Sequence, residues 1–210
     1  MIRPMLVTVV PESTPGVWAV VAASAALLAV FLFIACLVCR KFSKGTDLCS
    51  LWPFYLSAII GLILLLAFGI SITTAKGMIL TLILLYASLS DLKYRKVPNC
   101  ISVMILILAF VDFQAHNLPS MLIGAAVVFI PVLATTIMTP ARPSGGADIK
   151  ISTALAFLLG VEKGLFALIV GLLLAVVVTA VSNKINDKDP KQAFPLVPFL
   201  WVGATLAYML

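Results

Sequence analysis

The chain has 210 residues, 63% of them hydrophobic and only 10% charged, with a formal net charge of +6. Soluble globular chains carry roughly 25% charged residues, so these figures exclude an ordinary water-soluble domain. The excess of basic residues does not point to nucleic acid, because it sits in short loops between apolar runs, where membrane topology accounts for it.

Cutting at charges and turn residues leaves eight apolar stretches, near 17–39, 52–73, 77–90, 100–113, 118–139, 150–161, 164–183 and 194–210. Lipid cannot satisfy exposed backbone polar groups, so such runs are expected to be helices. The first, "VWAVVAASAALLAVFLFIACLVC" (17–39), is uncharged and follows a polar tail, residues 1–16. A cleaved leader has an apolar core of about 7–15 residues behind a basic flank, so this run is expected to be a retained span. The stretches near 77–90, 100–113 and 150–161 fall short of the roughly 20 residues a crossing needs. They must reach into their polar flanks or tilt, which draws Asp91 and Asp148 to the membrane boundary.

Loops 40–51, 91–99, 140–150 and 184–193 hold eleven of the fourteen Lys and Arg residues. The N-terminal tail and the turns at 74–76, 114–117 and 162–163 hold three. Basic loops stay in the cytoplasm. The expectation is therefore an all-α polytopic membrane protein of about eight transmembrane helices, both termini on the outer side. Residues 1–210 form a single membrane-embedded unit with no soluble domain, in the cytoplasmic (inner) membrane. Cys36, Cys39, Cys49 and Cys100 fall in spans or on the reducing side, so no disulfide framework is implied.

Eight acidic residues are available. Glu12, Asp47, Asp112, Glu162, Asp187 and Asp189 read as solvated charges or turn formers. Asp91, in "SLSDLKYRKVPN", stands at a helix C-terminus, where the macrodipole disfavours a negative charge by some tenths of a kcal/mol; a pairing with Lys93 or Arg95 is the structural alternative. Asp148, in "SGGADIK", follows a Gly-Gly turn and is a natural helix N-cap, with Lys150 an anchor at phosphate level. Together the two are more informative. Carboxylates at one membrane face that share a site cannot both ionise and hold one proton between them. One can then act as base toward a water while the other donates to a carbonyl. Gly145 and Gly146 would leave room for a substrate backbone.

Three segments resemble the type IV prepilin peptidases, intramembrane aspartic proteases of the GxGD type. "DLKYRKVPN" (91–99) looks like that family's first catalytic motif, and "GGADIK" (145–150) like its second. "FPLVPFLWVGA" (194–204) is similar to its Pro-rich final span. The resemblance implies that Asp91 and Asp148 are the catalytic pair, with Pro98, Asn99, Gly145, Gly146, Ala147 and Lys150 against the substrate. The reaction implied is removal of a basic leader from a prepilin or pseudopilin, at the cytoplasmic face. The substrate partner would bring its own transmembrane segment, and recognition would rest on that segment and the Gly before the cut. Ala147 replaces the second Gly of the motif, so the backbone there must take an ordinary conformation. Many bacterial relatives carry two Cys-x-x-Cys pairs after the first span and also N-methylate the product. Here only "CLVC" and Cys49 are present, without a nearby His, so no metal, no cofactor and no methyltransferase activity are expected. A small transporter with a proton relay, a presenilin-like protease and a non-catalytic assembly scaffold are the competing readings. Lone His116 reads as a solvated turn residue, and Trp18, Trp52 and Trp201 as interface anchors.

Overall fold

The computed structural model describes residues 15–43, 52–138, 145–186 and 195–210. Every regular element among them is helical: α1 (Pro15–Ser43), α2 (Trp52–Phe68), α3 (Ile72–Tyr94), α4 (Cys100–Ala109), a 3-10 turn (Ala115–Asn117), α5 (Leu118–Met138), α6 (Gly145–Asn186) and α7 (Val197–Met209). Four stretches are long and apolar enough to cross a membrane: Ala22–Arg40, Ile72–Tyr94, Ala115–Ala134 and Gly146–Val181. Large apolar side chains face outward around the bundle, with Leu66 76%, Phe33 65% and Ile130 65% exposed. Water would not tolerate so continuous an apolar surface, whereas lipid tails cover it. The protein is a helical membrane protein.

α6 is not one rod. Gly160 has φ 80° and ψ −175°, a conformation that only glycine adopts without strain. In an unbroken helix residues eight apart are separated by about 12 Å, yet a Cβ on Gly164 would lie 2.8 Å from the Cα of Ala156. The chain therefore reverses at Gly160, and arms 145–159 and 161–186 lie against each other as a helical hairpin. With α6 counted as two arms, each of the eight apolar stretches overlaps a helical segment.

α3 is central: 61% of its most apolar stretch is buried, against 17% of that of α1, and α1, α2, α4 and α7 all pack on it. α7 is gripped between α3 and α6. Trp201 is consequently fully buried and is not an interface anchor; the side chains of Trp18 and Trp52 lie outside the described residues.

Hydrogen bonds fix the relative directions. At one end Val197 N–H donates to Asp91 Oδ2 (3.2 Å) and Lys150 Nζ to Asn99 Oδ1 (3.0 Å). At the other, Tyr208 Oη–H donates to the Thr73 carbonyl (2.8 Å), Lys76 Nζ to the Val111 carbonyl (2.9 Å) and Val161 N–H to Ser120 Oγ (3.3 Å). The end of α3 thus meets the starts of α4, α6 and α7. The turn expected at 74–76 is helical instead, because Ser71 accepts the Thr74 N–H as N-cap and Lys76 extends its amine to the bundle end rather than breaking the helix. Likewise the reversal expected at Glu162–Lys163 occurs at Gly160, where the backbone, not the charge, decides it.

Candidate active site

Asp91 lies in the last turn of α3 rather than beyond it. The helix ends on Arg95, whose φ of 50° is left-handed and whose N–H donates to the Asp91 carbonyl at 2.9 Å. Ser90 Oγ then donates to the Lys96 carbonyl at 2.7 Å, folding the segment 95–99 back across the helix end. Arg95 acts electrostatically on the Asp91 carboxyl, while Lys93 Nζ sits 5.8 Å from the centre of the Tyr94 ring.

The second contact of Asp91 was not anticipated. α7 begins at Leu196, whose side chain cannot cap a helix, and its first turn carries Pro198. Asp91 Oδ2 fills the gap by accepting the Val197 N–H. A helix start exposes unsatisfied N–H donors and a partial positive charge, so α7 holds the Asp91 carboxyl from across the bundle. The motif-like run 194–204 hinted that this segment matters, but a backbone amide has no side-chain signature.

Asp148 lies in the first turn of α6 and within electrostatic reach of Asp91. Two aspartates 57 positions apart in the chain therefore occupy one neighbourhood at the meeting point of α3, α6 and α7. Asp148 is not the N-cap: α6 starts at Gly145, so the Gly-Gly pair forms its first turn instead of a separate loop. Ala147 follows in helical conformation, half-buried. A Cβ at Gly146 would meet nothing within 4 Å, which leaves open space beside Asp148. The hydrogen bond from Lys150 to Asn99 ties the two motif segments together, and Pro98, Asn99 and Lys150 are all exposed at the rim.

One turn inward, Ser152 Oγ, Thr153 Oγ1 and Trp201 Nε1 are buried without a hydrogen-bond partner among the described residues. Cys36 is exposed and Cys39 buried; Cys49, Asp47, Asp187 and Asp189 lie outside the described residues, as does Glu12. No group of three or more His, Cys, Asp or Glu side chains among the described residues is placed to hold a metal ion. His116 is exposed in the 3-10 turn, at the end of the bundle away from the aspartates.

The fold and this pair define a membrane-embedded helical protein with two aspartates at the same end of its bundle. Residues 78–180 match the model of the type IV leader peptidase family, and the chain belongs to that family. The matched stretch runs from α3 into the second arm of α6 and contains both aspartates; α7, which supplies the amide on Asp91, lies beyond it. No curated protein and no solved structure matches the chain. The protein is thus a membrane peptidase by family.

Gly146 gives a separable prediction. Because a side chain there meets open space, Gly146→Val is expected to leave the thermal unfolding temperature within a few degrees of wild type, as surface changes of about ±0.5 kcal/mol do. If the space receives the substrate backbone, the same variant raises KM in a cleavage assay.

Proposed function

We propose that the protein is an aspartic endopeptidase that removes the basic leader from type IV prepilin-like proteins. The observation that carries this reading is the convergence of Asp91 and Asp148 at one end of the bundle, supported by the family match. Asp91, held through Oδ2 by the α7 amide, is the base: its carboxylate takes a proton from a water. The water oxygen bonds to the scissile carbonyl carbon as protonated Asp148 donates to the carbonyl oxygen. The tetrahedral diol then collapses, a proton passes from the aspartates to the departing nitrogen, and the C–N bond breaks. Acid and base assistance are each worth about 10²–10⁴-fold in rate.

The eleven basic loop residues support a topology of eight crossings with both termini outside, in which the aspartate end faces the cytoplasm from the inner membrane. The substrate's own apolar segment packs beside the bundle, and its unwound backbone before the cut enters the space over Gly146. Peptidase action without N-methylation fits the short segment between α1 and α2.

The test is direct. A tagged precursor with a basic leader ending in Gly, co-expressed with the protein in membranes, is expected to yield a product whose new N-terminus follows that Gly. A membrane-inserted precursor that stays full-length sinks the proposal.

A further inference from the structure

At the end of the bundle opposite the aspartates, the ends of α2, α4 and α7, the starts of α3 and α5 and the Gly160 turn enclose an open cleft of about 440 Å³. Its volume is within the range of small-molecule sites, roughly 300–1,000 Å³. The charged groups lining it are Lys76, Lys163 and Asp112, a net of one positive charge. Lys76 is already anchored on the Val111 carbonyl and acts electrostatically on Asp112, which is itself one of two non-glycine residues at positive φ among the described residues, at 56°. Lys163 is exposed and has no partner among the described residues. Gln114 and Asn117 add amide donors on the same wall.

The surroundings of the cleft restrict its occupant. Ile72 (61% exposed), Phe110 and Phe113 turn apolar surface outward beside it, and such surface on this protein faces lipid tails. A ligand there meets a cation and amides with its polar part and hydrocarbon with the rest. Net charge +1 matches a phosphodiester, which carries one negative charge. A hydroxylated head would donate to Asp112, whereas a second anionic group would be repelled by it.

We infer that this cleft binds the head group of an anionic phospholipid with one phosphodiester and a hydroxylated, uncharged head, as in phosphatidylglycerol, with Lys163 as the principal phosphate contact. The bound lipid would brace the α6 hairpin against α3 and α4 at the end remote from the aspartates. This inference is independent of the peptidase reading, since its readout is lipid retention and not cleavage.

The full chain, delipidated in detergent, is titrated with phosphatidylglycerol, phosphatidylethanolamine, phosphatidylcholine or soluble glycerophosphate, following thermal unfolding and the lipid retained by intact-complex mass spectrometry. Phosphatidylglycerol is expected to be retained and to raise the unfolding temperature. Lys163→Gln, an exposed change that leaves the fold intact, is expected to weaken its binding about fivefold, the value of one lysine at an anionic lipid surface. Equal retention by Lys163→Gln, equal protection by the zwitterionic lipids, or equal protection by glycerophosphate would each overturn the assignment.

Discussion

Asp91→Asn is expected to abolish cleavage while leaving the protein as stable as wild type, and Asp91→Ala to lose both. The two substitutions separate the two things Asp91 does. As a cap it accepts the Val197 N–H at the start of α7, and an Asn side-chain oxygen performs that task about as well as a carboxylate. Ala offers no acceptor and costs about 1 kcal/mol, the usual loss when a cap is removed. As a base, however, Asp must take a proton from water, which an amide cannot do, so a loss of at least about 10²–10⁴-fold is expected from either substitution. Asp148→Asn is expected to match Asp91→Asn in activity, since it removes the acid of the same pair. Thermal unfolding in detergent and the precursor assay in membranes give the two readouts. Near-wild-type cleavage by Asp91→Asn would reduce the residue to a helix cap, and the proton-relay and scaffold readings would regain ground.

The sequence made the helices legible because lipid leaves the backbone few options: an apolar run must satisfy its own N–H and C=O groups. It also made both aspartates conspicuous, since eight acids in 210 residues leave few to explain. Their meeting, by contrast, is legible only through the loop charges that set both at one membrane face and through the motif resemblance, because no local pattern in "SLSDLK" or "SGGADIK" reports what lies 57 positions away. Helices run beyond the boundaries that charges suggest, because a long charged side chain does not break the backbone ladder. Lys76 is the instructive case: its four-carbon stem carries the amine to the Val111 carbonyl while the backbone stays helical. The charged pair at 162–163 draws the expected reversal past Gly160, although tight reversal needs a permissive backbone more than it needs polarity. Trp201 departs from the interface expected of aromatic residues at span ends, because α7 is enclosed by α3 and α6 and buries its indole completely. The α7 amide on Asp91 could not have been read at all, being main chain.

Gly203→Val is expected to be the most damaging substitution among the helix-packing glycines, although it alters no motif residue. A Cβ at position 203 would fall on the Ala167 carbonyl oxygen and lie 3.0 Å from the Gly171 nitrogen. Both obstacles are backbone of the second arm of α6, which cannot swing aside as a side-chain tip can. Overpacking of this kind costs typically 1–3 kcal/mol, so α7 must move off the hairpin or the bundle must loosen. The consequence reaches the site because the same helix, six residues earlier, presents Val197 N–H to Asp91. A shift of about 1 Å in a positioning group costs on the order of 10²-fold in rate, so cleavage is expected to fall by about that factor even in the fraction that folds. Gly203→Ala adds a smaller group at the same place and is expected to fall between wild type and Val on both measures. Stability and activity declining together along Gly, Ala, Val would show that α7 seated on α6 is what holds Asp91 in register. Undiminished activity in a correctly folded Gly203→Val protein would mean that the amide contact is dispensable to the aspartate pair.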